Sequence, residues 1–232
     1  MKRILFSIAL LVSASIVHAQ TADEIITKHL AAIGGADNWK KVNSVKIEGV
    51  VKIQGGAEAT VSQTILNGKG TRQDISFMGM NGYQFSTPTS GWSFMPFQGQ
   101  AAPEAMTAEA VAEAASELDA QGSLVDYASK GHTVEYLGKD DVEGTECYKI
   151  KVNLKSGKPE THYIDTKSYL IIRTATTQKA NGQEMEVVTN FSNYEKLPEG
   201  IVIPKSLGLP FGEMNITKVT INGPVDESIF KN

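Results

Sequence analysis

From about residue 44 onward the chain alternates apolar and polar side chains with a period of two. Val45, Ile47, Gly49, Val51 and Ile53 alternate with Lys46, Glu48, Val50, Lys52 and Gln54, and Gly55-Gly56 turns the chain into a second alternating run through Val61 and Ile65. The pattern returns in Tyr148, Ile150, Val152 and Leu154, and again in Met185, Val187, Thr189 and Phe191. Asn67-Gly68, Asn81-Gly82, Ser156-Gly157 and Asn181-Gly182 are compact-turn dipeptides between such runs, the signature of antiparallel hairpins. The pattern predicts about ten to eleven strands, near 44–54, 57–67, 70–78, 82–87, 91–96, 132–139, 145–155, 158–165, 169–179, 183–195 and 213–222. So much one-sided apolar surface cannot stay in water on a flat sheet. A mainly β (α+β) fold is expected, with the sheet curved into a half-closed antiparallel barrel.

Two stretches break the period. Ile25, Ile26, His29, Leu30 and Ile33 recur at helical spacing, with Thr21 or Asp23 as N-cap and Gly34-Gly35 as the stop, and a short turn follows over 36–42 with Trp39 and Val42 on one side. Residues 103–121 place Met106, Val111, Ala114, Ala115 and Leu118 at helical spacing. The apolar surface available to both is the concave face of the sheet, so both are expected to lid it.

The first residues change the cellular context. Lys2 and Arg3 precede an apolar run over 4–17 that is short for a membrane span, and Val17-His18-Ala19 offers small residues for cleavage before Gln20. Residues 1–19 read as a signal peptide, 20–232 as one exported domain, and no later run reaches membrane-spanning length. The only cysteine, Cys147, lies in an alternating strand, which excludes an internal disulfide and leaves no thiol after the cut for a lipid anchor. A net charge of −4 and a pI near 5.6, with dispersed lysines and only Arg72 and Arg173 beyond the leader, argue against a nucleic-acid partner.

Catalytic patterns are weak. Beyond the leader stand His29 on the apolar side of the first helix, His132 at a strand start, and His162 at a position read as outward-facing. None belongs to a zinc-peptidase motif, no G-x-S-x-G elbow occurs, and the Asp140-Asp141/Glu143-Gly144 stretch reads as a solvated hairpin rather than a calcium loop. No catalytic residue, metal or cofactor is expected. Phe77 to Met80, with Trp92, Phe94, Met95, Pro96 and Phe97, concentrates aromatic and methionine side chains that suit either a lipid-facing wall or an ordinary core with an apolar loop.

Ala22-Asp23-Glu24-Ile25-Ile26 through Ala32-Ile33-Gly34-Gly35 and Asn43-Ser44-Val45-Lys46 resemble the start of the periplasmic lipoprotein-carrier-like proteins, the outer-membrane lipoprotein-sorting superfamily in its Bacteroidetes-type form. Gly144 to Val152, Tyr163-Ile164-Asp165-Thr166-Lys167-Ser168-Tyr169-Leu170-Ile171 and the ending Val225-Asp226-Glu227-Ser228-Ile229-Phe230 are similar to that family's strand-turn-strand and closing tail. The resemblance implies a half-open barrel whose helices lid a concave face that holds acyl chains. It implies a non-enzymatic periplasmic carrier of lipoproteins or lipids, a monomer handing cargo from an inner-membrane transporter to an outer-membrane receptor. It also makes Arg72 the match to an arginine that bonds lid carbonyls; its own surroundings read equally as those of a surface arginine.

The apolar parity of the strands supplies the expected lipid-binding wall: Val45, Ile47, Val51, Ile53, Val61, Ile65, Phe77, Phe85, Ile150, Val152, Val187 and Phe191. The expected lid is Ile26, Leu30, Ile33, Met106, Val111 and Leu118, with Arg72 as its latch. The same positions would be buried in a barrel with a filled interior. The alternative reading is therefore an envelope scaffold or partner-binding module of the same fold.

Overall fold

The computed structural model describes residues 21–180 and 183–232; the leader over 1–19 and the Asn181-Gly182 turn lie outside them. Among the described residues one sheet of 13 antiparallel strands runs in the order β6-β5-β4-β3-β2-β1-β13-β12-β11-β10-β9-β8-β7. The first six strands are β1 (Ser44–Ile53), β2 (Glu58–Leu66), β3 (Gly70–Phe77), β4 (Met80–Ser86), β5 (Gly91–Phe94) and β6 (Glu104–Ala105). The remaining seven are β7 (Thr133–Val142), β8 (Thr145–Asn153), β9 (Pro159–Asp165), β10 (Ile171–Ala180), β11 (Gln183–Lys196), β12 (Val202–Leu209) and β13 (Gly212–Ile221). Register shifts at Glu48/Gly49, between Tyr136 and Lys139, and between Ile171 and Arg173 bend the strands they interrupt. The sheet curves without closing, because β6 and β7 stay apart as its two edges. β6 is two residues long, while β7 carries Lys139, Asp140 and Asp141, so neither edge invites pairing.

The count exceeds the predicted ten to eleven by β6 and β12. β12 hides its alternation behind Pro204 and Gly208. It pairs with β11 over most of its length but with β13 only from Ser206 to Leu209, so its first half splays away from β13. Pro204, which has no N–H, falls in that splayed half, as strand proline must. Val42, Ile201 and Ile221, with Trp39 against them, form a core cluster here, and Val202 donates its N–H to the Ile33 carbonyl at 2.9 Å.

The topology explains where the helices go. β1 to β6 step outward to one edge and β7 to β13 step back from the other, so the segment between β6 and β7 must cross a face of the sheet. That crossing is α3 (Ala108–Ala114), a 3₁₀ turn (Ala115–Leu118) and a run of turns up to β7, not the continuous helix expected over 103–121. Its run of turns is stapled by Lys130, which donates to Asp119 at 2.7 Å and to the Gly122 carbonyl at 2.9 Å.

α1 (Ala22–Ala32) lies beside the crossing. Thr21, not Asp23, is its N-cap, in a capping box with Glu24, and Asp23 instead accepts a hydrogen bond from Tyr127 of the crossing. Ile25 and Ile26 pack on Tyr148, Ile150, Val152, Leu154 and Ile164. Gly34 ends the helix at φ +105°, and a Cβ there would sit 2.3 Å from the Gly200 carbonyl oxygen, so both backbone conformation and close approach demand glycine. α2 (Ala36–Lys40) follows at once.

Candidate functional site

Between α1, the crossing segment and the β8–β12 half of the sheet lies a cavity of about 950 Å³. α1 contributes His29, Leu30 and Ile33, α2 contributes Trp39, and the crossing contributes Leu118, Ala120, Leu124 and Val125. The sheet side is made by Leu154, Ile171, Phe191, Tyr194, Val202 and Ile203. The volume falls at the upper end of ordinary ligand pockets, and the lining is mainly apolar with a few convergent polar groups.

Those polar groups are organised around β9. His162 is buried, and its Nδ1 lies 3.2 Å from the Thr174 hydroxyl on the neighbouring strand, where the two residues are in register. Ser123 of the crossing donates to Glu160 at 2.9 Å and lies 3.3 Å from His162 Nε2. Burial pushes the Glu160 carboxyl up, but hydrogen bonds and charge from His162, Ser123 and Lys158 together hold it below the usual carboxylate value. The cluster thus presents donors and a carboxylate at one wall of an otherwise greasy space.

His29 is a different case. It is buried and bonded through Nδ1 to the Tyr169 carbonyl at 2.8 Å, and burial lowers its pKa to about 4, so it is a neutral imidazole at physiological pH. Tyr194 donates to the Ile171 carbonyl at 2.5 Å, with burial pushing its phenol pKa up. Cys147 is fully buried, its thiol near the Thr145 carbonyl, and burial pushes its pKa up to about 11, well away from a reactive thiolate. No helix among the described residues is long and apolar enough to cross a membrane, and no group of three or more His, Cys, Asp or Glu there is arranged to hold a metal ion.

Of the expected wall, Phe191 lines the cavity; of the expected lid, Leu30, Ile33 and Leu118 do. Ile26, Ile150 and Val152 pack in the cluster between α1 and the sheet. Val45, Ile47 and Ile65 belong with Val42 and Ile201. Val51, Val61, Ile53 and Phe77 form a third cluster with Ala59, Ile75, Leu209 and Met214. Phe85 is buried and stacks on Tyr83 at 6.3 Å, and Val187 is half-buried opposite Thr176, outside the cavity lining. Val111 is buried on α3, and Met106 rests on Gly91 at the β5 edge.

Arg72 alternates with Thr71 and Gln73 and so projects from the opposite face of the sheet. It pairs with Asp74 at 2.8 Å, lies over the Tyr83 ring at 4.5 Å and donates to the Ile229 carbonyl at 3.0 Å. It therefore holds the C-terminal 3₁₀ turn (Glu227–Phe230), not a lid carbonyl.

His162, expected to face outward, faces in. The signal lay in parity: Glu160, His162 and Ile164 share one face of β9, and Ile164 is fully buried. Ser123 carried no signal, because it sits in a stretch of turns.

The architecture is that of a half-open antiparallel barrel enclosing a ligand-sized cavity. Solved structures share it: an outer membrane lipoprotein-sorting protein domain from Vibrio parahaemolyticus, described as putative, is 14% identical with a TM-score of 0.52, over 89% of this chain and 94% of that one. A DUF1329 family protein from Desulfovibrio piger is 12% identical with a TM-score of 0.56, over 92% and 98% of the two chains. A LolA superfamily protein from Nitrosomonas europaea is 12% identical with a TM-score of 0.52, over 92% and 99%. The chain thus shares the LolA-like fold of these structures, and at these identities the likeness is one of fold. No protein-family model and no curated protein matches the sequence.

Proposed function

We propose that the protein carries acyl chains of lipids or lipoproteins through the bacterial cell envelope, without covalent chemistry, after export by the leader over residues 1–19. The observation that carries this reading is the cavity of about 950 Å³, walled by apolar side chains of α1, the crossing segment and β8–β12. A space of that size argues against the scaffold alternative, which needs a filled interior. The shared fold with a lipoprotein-sorting domain and a LolA superfamily protein supports the same direction.

The energetics suit a carrier. Each methylene taken from water contributes about 0.8 kcal/mol, so burying roughly ten gives about 8 kcal/mol, a micromolar affinity that permits release. In this reading the Ser123–Glu160–His162 cluster, at one wall of the cavity, would meet the polar end of such an amphiphile. The sites on the two membranes would be proteins that open the lid, a transporter on the donor side and a receptor on the acceptor side.

The test is native mass spectrometry of protein purified from a bacterial envelope without detergent, with lipid analysis of its extract. Acylated species are expected at one defined stoichiometry. A bare protein mass that also takes up no added palmitate or lipopeptide would refute the carrier reading.

A further inference from the structure

The concave face is not apolar throughout. On the β2–β4 side, three glutamines stand in register on adjacent strands, Gln63 opposite Gln73 and Gln73 opposite Gln84. In-register neighbours on adjacent strands are about 5 Å apart, so three amides, each with a carbonyl acceptor and an NH₂ donor, stand side by side. One step along the strands, Thr71 faces Ser86, and both are buried. With Glu117 of the crossing segment these residues line a pocket of about 200 Å³. It is separate from the larger cavity, which the next residue, Leu118, lines.

Two observations mark this pocket as a site rather than a polar patch. The Ser86 hydroxyl is buried and has no hydrogen-bond partner among the described residues, where native structures leave few such groups. The side chains of Gln63, Gln73 and Gln84 beside it are half-buried and line the same pocket. The lining holds no lysine, arginine or histidine, which disfavours phosphate, sulfate or carboxylate. Desolvation pushes the carboxyl of Glu117, at the rim, above its ordinary value, with the Lys158 charge opposing.

We propose that this pocket binds a neutral sugar ring, its hydroxyls hydrogen-bonded by the amides of Gln63, Gln73 and Gln84 and by the hydroxyls of Thr71 and Ser86. A pyranose presents paired donors and acceptors around one rim, spaced to engage several strands at once, and carries no charge to be desolvated. The sugar comes either free or as the head of a glycolipid. The inference does not depend on acyl carriage, since its pocket and its residues are distinct from those of the larger cavity.

The experiment is a titration followed on the glutamine side-chain NH₂ resonances by ¹⁵N–¹H NMR. The probes are the methyl glycosides of glucose, galactose, mannose and N-acetylglucosamine, then the octyl glycosides of the same sugars below their micelle concentrations. At least one methyl or octyl glycoside is expected to give saturable shifts of the Gln63, Gln73 and Gln84 side chains. Gln73→Leu and Gln84→Leu should each weaken that binding about tenfold, the loss of roughly one hydrogen bond. Equal affinity for the methyl and octyl forms identifies a free sugar as the ligand, and much tighter binding of the octyl form identifies a glycolipid head. The proposal is overturned if no glycoside shifts these resonances at tens of millimolar, if binding survives in both folded variants, or if octylammonium shifts them and the sugars do not. Palmitate uptake measured on the same sample reports on the carrier reading separately.

Discussion

Phe191→Asp is expected to lower the affinity for a long-chain fatty acid at least a hundredfold. Phe191 stands on β11 in the cavity wall, opposite Leu207 of β12. In the free protein a carboxylate there keeps contact with the solvent that reaches the cavity, so the fold survives. When an acyl chain enters, that water leaves and the charge faces methylene groups, a cost of several kcal/mol. A hundredfold loss corresponds to about 2.7 kcal/mol. Phe191→Leu, which keeps the wall apolar, should change affinity only a few-fold. Displacement of a fluorescent fatty-acid probe, with circular dichroism to confirm folding, reads both; unchanged binding by folded Phe191→Asp would remove this wall from the site.

The second large effect concerns acid. His29 is neutral in the folded protein because burial lowers its pKa from 6.5 to about 4. Between those values the unfolded chain binds a proton that the folded one refuses, so stability rises with pH across this window and is lost as pH falls through it. The contribution is fully present above pH 6.5, and by pH 4 about 3 kcal/mol of it is gone, taking 1.36 kcal/mol per pH unit. His29→Gln can keep a donor toward the Tyr169 carbonyl and removes the titration. Urea unfolding at intervals from pH 7.5 to pH 4 should show wild type losing about 3 kcal/mol more than the variant. Parallel curves would mean that the imidazole is protonated in place.

His29 bridges fold and site. It sits on the α1 face that packs over β8–β10, while its ring lines the cavity. Acid that charges it places an unfavourable charge between α1 and the sheet, at the cavity wall. An acyl complex should therefore lose affinity in the same pH range in which the free protein loses stability.

The period-two alternation of β1, β2 and β8 was legible in the sequence because their apolar parity is largely buried, whereas the apolar parity of β11 begins at Met185, which is exposed. β12 was not legible, because Pro204 and Gly208 break its pattern where it splays from β13. α1 was visible through its helical spacing and its Gly34-Gly35 stop. The crossing segment was overread: its alanines suit a helix, yet the chain must reach the far edge of the sheet to start β7, and helix gives way to turns after Leu118.

The candidate site was less legible than the fold. Parity tells which residues face inward, not which inward residues meet one another and which leave space between them. Val51 and Ile150 are inward and spent on packing, while Phe191 is inward and borders a cavity. β3 shows the limit within one strand: Thr71 and Gln73 share a face with Ile75 and Phe77, so the concave surface changes from polar to apolar along its length. Ser123, His162 and Thr174 come from three separate elements, and only the folded chain brings them together.

The most direct measurement is a crystal structure of the protein grown with a fatty acid brominated at the end of its chain. The account predicts a single anomalous bromine peak inside the cavity among Leu30, Leu118, Phe191 and Ile203. Bromine found only on the outer surface, or no bound chain beside a cavity filled by repacked side chains, would contradict it.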